Sequence, residues 1–213
     1  MINADVAIVD YGVGNLRSVE KAFAANGHKA ILSSDPSELL KAKRLVLPGV
    51  GAFAACMNGL RDYGLAELVV ERAHEGTPLL GVCVGMQMLF DESDEFGKTN
   101  GLGLIRGCVR RFSQELVVPH VGWNRIHQRA AHPLFADVDD GAFCYFVHSY
   151  FCEPENEDVV IGSTEYGVSY ASVIAKDNVC GVQFHPEKSQ AVGLRMLSNF
   201  ARMGTTDERR QHR

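Results

Sequence analysis

Residues 78–87 read PLLGVCVGMQ, with Cys83 two positions after Gly81 and two before Gly85. The apolar run before the cysteine predicts a buried strand, and the residues after it predict a helix over 84–90. The thiol therefore lies where a strand becomes a helix. Ligands of open α/β sheets bind at such turns, at the carboxyl ends of the strands.

The sequence before this turn alternates between strand and helix patterns. Asp35, Pro36 and Glu38 add a helix start, with Asp as the N-cap, Pro at the first helical position and Glu at the third, as in a capping box. The predicted strands cover 5–10, 28–32, 44–47 and 78–82, and the predicted helices cover 15–26, 52–60, 65–75, 84–90 and a short one from Asp35. This alternation predicts an α/β, doubly wound, mostly parallel sheet flanked by helices.

The pattern changes in the C-terminal half, where short apolar segments are separated by turn residues. This predicts an additional antiparallel section. The predicted strands are 109–112, 142–150, 159–162, 168–175 and 179–184, followed by a helix over 189–203. The polar tail 204–213 is expected to be disordered. No repeat or linker interrupts the chain, so we expect a single domain over 1–213.

The composition excludes several classes of function. The net charge is −5, with 46% hydrophobic and 22% charged residues. That charge argues against a nucleic-acid surface, and no apolar run is long enough to cross a membrane. The start of the chain lacks a signal-peptide layout, so we expect a cytoplasmic protein. Six cysteines without a CxxC pair are expected to be mostly buried thiols. We expect no metal and no cofactor.

The G-x-C-x-G pattern around Cys83 has the form of a nucleophile elbow. The turn is sharp, and side chains at Gly81 and Gly85 would collide with neighbouring backbone. Such a turn exposes the nucleophile and directs free N–H groups, including that of Val84, toward an oxyanion. The alternative is a buried structural cysteine in a tight turn.

A nucleophilic cysteine needs a base, and His185 is the best candidate among the eight histidines. It follows an apolar strand in the sequence His185-Pro186-Glu187. Pro186 favours an extended His185, and extended geometry would put Glu187 on the same side to orient the imidazole. His148 also ends a predicted strand and is the rival base, but no carboxylate lies within three residues of it.

A second glycine-rich loop, Pro48-Gly49-Val50-Gly51, follows the third predicted strand. No Gly-Lys-Ser/Thr follows it, so it is not a phosphate-binding P-loop. The earlier Gly12-Val13-Gly14 lacks the third glycine of a dinucleotide fingerprint, because Arg17 occupies that position. We therefore expect Pro48–Gly51 to bring backbone N–H groups close to the substrate carbonyl, where they would form an oxyanion hole together with the N–H of Val84.

Together these segments resemble the triad-type, class I glutamine amidotransferases. Further stretches resemble the glutaminase subunits of imidazole glycerol phosphate synthases, over about residues 5–203. They are Asp10–Ser18, Pro48–Phe53, Val121–Asn124, Tyr145–Tyr150 and His185–Ser189.

The resemblance implies a chemistry and a set of roles. Cys83 would attack the side-chain amide of glutamine, with His185 as base and acid and Glu187 as its orienting group. A thioester would form and be hydrolysed to glutamate, with the oxyanion bound by the backbone N–H groups of Val50 and Val84. The residues implied to hold glutamine are Gly51, Gln87, Glu95, Ser149 and Tyr150. Gln87 could instead be an exposed helix residue, and Glu95 could belong to a solvated acidic stretch.

The resemblance also implies a partner. Ammonia would pass to a separate (β/α)8-barrel cyclase subunit, forming a heterodimer that makes imidazole glycerol phosphate and aminoimidazole carboxamide ribotide. Asn15, Trp123 and Lys188 would lie at the interface, although Trp123 could equally be a core residue. Three alternatives stay open: a glutaminase of another synthase (anthranilate or pyridoxal phosphate), a stand-alone Cys hydrolase, and a scaffold subunit with an inert thiol.

Overall fold

The computed structural model describes residues 4–204, which contain thirteen sheet strands and six α-helices. The helices are α1 (Leu16–Ala25), α2 (Pro36–Leu39), α3 (Phe53–Asp62), α4 (Ala66–His74), α5 (Val84–Met88) and α6 (Gln190–Ala201). The N-terminal strands are β1 (Val6–Val9), β2 (Ala30–Ser33), β3 (Leu45–Gly49), β4 (Leu79–Cys83), β5 (Phe90–Ser93) and β6 (Thr99–Asn100). The later strands are β7 (Ile105–Arg111), β8 (His120–Gln128), β9 (Ala142–His148), β10 (Tyr150–Pro154), β11 (Val160–Glu165), β12 (Ser169–Lys176) and β13 (Val179–Val182).

A parallel block forms the centre of the sheet, in the order β2, β1, β3, β4 and β13. All residues of β1, β3, β4 and β13 are buried, as expected for strands covered on both faces. Helix α1 packs on α6, while α3 packs on α4 and α5. The connections after β1 and β3 run in opposite directions along the sheet, which places a topological switch point between these two strands.

The antiparallel section adjoins the parallel block through β12, which pairs with β13. The sheet then continues through β10 and β7 to β5 and β6. On a branch from this path, β11 pairs with β12 and β8, and β8 pairs with β9. The α/β doubly wound fold with an antiparallel section in its C-terminal half is confirmed.

The predicted start of helix α2 is confirmed in part. The Asp35 carboxylate accepts a hydrogen bond of 2.8 Å from the Ser37 N–H, which is the capping contact expected at this position. Glu38 does not return to the cap as a capping box would require. Its carboxylate instead accepts from the Ser33 hydroxyl at 2.5 Å. The Glu38 carboxylate is therefore bound by Ser33, at the end of strand β2, and not by the backbone N–H of the N-cap residue Asp35.

Several details of the predicted elements are wrong. Helix 84–90 ends at Met88, because Phe90 begins a strand that pairs with Ile105. Strands β5, β6 and β8 were not predicted, and segment 142–150 is divided between β9 and β10. The tail prediction concerns residues that, apart from Gly204, lie outside the described range, and the single-domain assignment stays a prediction. Within residues 4–204, no helix is long and apolar enough to cross a membrane.

Candidate active site

The three segments singled out in the sequence meet at the carboxyl ends of neighbouring parallel strands. Gly49, at the end of β3, is the register partner of Cys83, at the end of β4. Val82 is in turn the partner of Val182, three residues before His185. The order of β3, β4 and β13 in the sheet thus brings together the glycine-rich loop, the thiol and the imidazole.

Cys83 occupies a strained backbone conformation, with φ of 57° and ψ of −114°. Such values are costly for a residue with a side chain and occur mainly where the surrounding structure enforces them. A Cβ added at Gly81 would lie 2.6 Å from the Gly85 carbonyl oxygen, and one at Gly85 would lie 1.8 Å from that of Leu47. The structure therefore supports the predicted collision at both glycines.

The His185 imidazole contacts the Glu187 carboxylate, with 3.0 Å between Nδ1 and Oε1. Asn15 donates a hydrogen bond of 3.3 Å to the same oxygen. The route to this contact differs from the predicted one: His185 is extended, but Pro186–Lys188 form a 3₁₀ turn. The turn, and not an extended i, i+2 arrangement, brings the carboxylate to the ring.

The electrostatics favour an ion pair between these two side chains. Burial lowers the pKa of His185, but its interactions with Cys83 and Glu187 outweigh burial and raise the pKa to about 10. Burial raises the pKa of Glu187, and the contact with His185 outweighs it and lowers the pKa below its usual value. The imidazole is thus held protonated beside Cys83, and the carboxylate is held ionised behind it.

A cavity of about 370 Å³ opens at this point. Most of the predicted site residues line it, namely Val50, Gly51, Cys83, Val84, Gln87, Glu95, Ser149, Tyr150, His185 and Lys188. Pro119, Val147 and His148 also line it and were not predicted to bind anything. Glu187 lies behind His185, and neither Asn15 nor Trp123 lines the cavity.

Gln87 is buried and not an exposed helix residue. Its Nε2 donates to the Tyr150 carbonyl and to Gln183 Oε1, each at 3.1 Å. Gln183, which the prediction missed, has no exposed surface, and its Nε2 lies 4.0 Å from Cys83 Sγ. A single amide inside the apolar run before His185 is the sequence signal that could have found it.

Glu95 also has a defined partner and is not simply solvated. Its carboxylate accepts a hydrogen bond from the Phe53 N–H at the start of helix α3. This contact satisfies one of the free N–H groups of the helix and anchors Glu95 at the rim of the cavity.

The rival base, His148, is committed to other contacts. Its Nδ1 lies 2.8 Å from the Tyr150 carbonyl, and its Nε2 lies 3.2 Å from the Tyr170 hydroxyl and 3.3 Å from His120. Burial lowers its pKa to about 3, so the ring is neutral. No carboxylate is among these partners, and we assign His148 to the wall of the cavity.

The glycine-rich loop is anchored from beneath by two side chains that the prediction missed. The Tyr11 hydroxyl donates to the Pro48 carbonyl, and Cys56 Sγ donates to the Val50 carbonyl at 3.3 Å. Burial raises the pKa of both groups, which keeps them protonated as donors. Gly51, at φ +87°, then turns the chain toward α3. Within residues 4–204, no group of three or more His, Cys, Asp or Glu could hold a metal ion.

A family model described as glutamine amidotransferase class-I matches residues 7–203. The chain belongs to this family. It is 49% identical over 205 residues to "Imidazole glycerol phosphate synthase subunit HisH" of Geobacter sulfurreducens, covering 93% of this chain and 98% of the relative. It is 50% identical over 202 residues to the same-named subunit of Geobacillus sp. strain WCH70, covering 92% and 95%.

Solved structures show that this amidotransferase shares their fold. A crystal structure of a glutamine amidotransferase has a TM-score of 0.73 at 21% identity, covering 93% of this chain and 99% of the other. The structure of PurLQS from Thermotoga maritima has a TM-score of 0.72 at 16% identity, covering 92% and 96%. The family model and the named relatives confirm the family resemblance stated from the sequence.

One face of the β8–β9 hairpin presents apolar side chains to solvent beside the amidotransferase site. Trp123 is 46% exposed, which excludes a core position, and its ring lies 5.9 Å from that of Tyr145. Val121 and Phe143 are exposed on the same two strands. Lys188 Nζ lies 5.9 Å from the Tyr145 ring, so one residue borders both the cavity and this hairpin face.

Proposed function

We propose that this chain is the glutamine-hydrolysing subunit of an imidazole glycerol phosphate synthase, acting in histidine biosynthesis. The observation that carries the proposal is the meeting of a strained Cys83 with the His185–Glu187 pair at one cavity. The relatives that share about half of its sequence bear the name of that synthase subunit. The cytoplasmic location expected from the sequence stays a prediction.

In the proposed reaction, the Cys83 sulfur attacks the carbonyl carbon of the glutamine side-chain amide. His185, protonated beside the thiolate, delivers its proton to the leaving nitrogen as the C–N bond breaks, and ammonia departs. A thioester remains on Cys83. Neutral His185 then takes a proton from water, and the resulting hydroxide attacks the thioester carbonyl. The C–S bond breaks, its electron pair returns to the Cys83 sulfur beside the protonated His185, and the γ-carboxylic acid loses its proton as glutamate leaves. Glu187 orients the ring and stabilises its cation throughout.

The developing oxyanion needs N–H donors, and we assign this role to the backbone of Val84 and Val50. Val84 follows the nucleophile directly, and both residues line the cavity. Tyr11 and Cys56 hold the carbonyls of Pro48 and Val50, which bracket the Gly49–Val50 peptide that carries the second N–H. Two N–H donors directed at the oxyanion are a major source of rate enhancement in acyl transfer.

We assign glutamine binding to residues on the cavity wall. Gln87 and Tyr150 are joined by a hydrogen bond, and Ser149 and Gly51 line the cavity with them. The carboxylate of Glu95 provides a negative charge for the α-ammonium group of the substrate.

We assign the β8–β9 face to docking of the (β/α)8-barrel cyclase subunit, which would receive the ammonia. Exposed aromatic residues with a neighbouring cation are typical of interface centres. Lys188 borders this face and directly follows Glu187 in the chain, and Asn15 donates a hydrogen bond to the Glu187 carboxylate. The interface would thus touch the group that orients His185.

The test compares two substrates in the reconstituted complex with the cyclase subunit. Cys83→Ala is expected to abolish synthesis from glutamine and to leave synthesis from ammonium intact, because the cyclase chemistry lies in the partner. Cys108→Ala is the matched control, since this thiol is outside the cavity and should preserve both activities. Loss of ammonium-dependent synthesis in Cys83→Ala, or retention of glutamine-dependent synthesis, would refute the proposal.

A further inference from the structure

Gln183 is a buried amide that contacts Gln87 and lies near the Cys83 sulfur, and the proposed reaction gives it no role. It has no exposed surface and stands two residues before His185. Its backbone N–H donates to the Ser172 carbonyl at 2.9 Å, which fixes it to strand β12. Burying an amide costs free energy unless its polar atoms have hydrogen-bond partners. The partners of the two polar side-chain atoms of Gln183 therefore indicate why an amide stands at this position.

The orientations of Gln87 and Gln183 follow from one fixed group. The Tyr150 carbonyl can only accept, so the Gln87 atom at 3.1 Å from it is the nitrogen Nε2. The Gln183 atom 3.1 Å from that same nitrogen is therefore the acceptor Oε1. The remaining Gln183 nitrogen is then the atom that lies 4.0 Å from Cys83 Sγ. A chain of donors thus runs from the backbone at Tyr150 to the nucleophile.

This row of hydrogen bonds has a consequence at each of its two ends, Gln87 and Cys83. Gln87 lines the cavity and its nitrogen is engaged twice, so Oε1 is the polar atom it offers to a ligand. That atom accepts hydrogen bonds and fits an N–H donor of the substrate. At the other end, an N–H faces the sulfur, and a contact of this length strengthens when sulfur carries a charge.

We propose that Gln183 is a positioning residue for glutamine hydrolysis, because it fixes the Gln87 amide with Oε1 toward the substrate and directs an N–H at the sulfur of Cys83. The inference rests on the proposed function and deepens it. The thiolate of Cys83 is then stabilised by the imidazolium of His185 and by the amide N–H of Gln183. The amide does not ionise, so this donor stays in place when His185 gives up its proton.

The test uses Gln183→Glu and Gln183→Met in the full chain. Glutamate keeps the shape but places a carboxylate oxygen near Cys83, and methionine keeps the volume but removes both polar contacts. Ser172→Ala is the matched control, because this hydroxyl is also buried in the adjacent strand and has no hydrogen-bond partner in the structure. Thermal unfolding reports whether each variant folds.

The first readout is the rate at which iodoacetamide alkylates Cys83, followed by mass spectrometry as a function of pH. We expect the half-maximal pH to rise by about one unit in Gln183→Met and further in Gln183→Glu, and to stay unchanged in Ser172→Ala. The second readout is glutamine hydrolysis in the complex, where KM should rise and kcat should fall in both Gln183 variants.

Unchanged alkylation profiles in folded Gln183 variants would overturn the inference, as would equal shifts in Ser172→Ala. If the wild-type complex does not hydrolyse glutamine, the proposed function fails. The alkylation profile still decides in that case whether Gln183 acts on Cys83, so the two failures are distinguishable.

Discussion

Trp123 provides a quantitative test of the docking surface assigned to the β8–β9 hairpin. The perturbation is Trp123→Ala, and 46% of a full tryptophan surface of about 250 Å² leaves about 115 Å² for a partner to cover. At about 25 cal/mol per Å², covering this area contributes about 2.9 kcal/mol. Alanine retains part of the contact, so we expect a loss of about 2 kcal/mol, or an approximately 30-fold weaker Kd.

The assay is isothermal titration calorimetry of the purified chain against the cyclase subunit of the same organism. Leu40→Ala is the matched control, since Leu40 is 45% exposed and directly follows helix α2. The strand before this helix, β2, is an edge strand separated by β1, β3, β4 and β13 from the β12 branch that leads to β8 and β9. We expect this variant to bind like the wild type. A change of less than about threefold in Trp123→Ala, or an equal loss in Leu40→Ala, would refute the assignment.

Two further predictions concern the catalytic elements. Glu187→Gln should lower the pKa of His185 from about 10, measured by histidine NMR, because the carboxylate that stabilises the imidazolium is gone; an unchanged pKa would contradict the ion pair. The pKa of His185 is higher in the folded than in the unfolded chain, so the stability that its cation contributes is complete below about pH 6.5 and is lost as the pH rises toward 10. The difference in unfolding free energy between wild type and Glu187→Gln should therefore shrink between these two pH values. In Gly85→Ala the added Cβ would lie 1.8 Å from the Leu47 carbonyl oxygen, so we expect the free energy of unfolding to fall by about 3 kcal/mol. Chemical denaturation curves that superimpose on those of the wild type would exclude the collision.

The convergence of the proposed catalytic residues could be predicted from the sequence because its signals are local. The two glycines around Cys83 are required by backbone contacts within one turn, and a histidine followed by Pro-Glu places a base and a carboxylate together. The local sequence predicts only part of the His185–Glu187 arrangement. His185 is extended as its proline favours, but the 3₁₀ turn after it, set by tertiary packing, determines where Glu187 points.

The missed features depend on distant parts of the chain. Strand β8 was not recognised because its apolar residues Val121 and Trp123 face solvent. In most half-buried strands the apolar residues of the alternating pattern face the core instead. The burial of Gln87 depends on Tyr150 and Gln183, which are 63 and 96 residues away. No local periodicity encodes such pairings, and only the order of strands in the sheet creates them.

The insertion of β13 between β4 and β12 also has a consequence for biosynthesis of the chain. Cys83 and Gln183 are 100 residues apart in sequence, and His185 follows two residues later, so the nucleophile emerges from the ribosome long before its base. Until β13 pairs with β4, the thiol has no imidazole beside it. On the proposed mechanism, a chain that ends before β13 therefore hydrolyses no glutamine, because its Cys83 has no base.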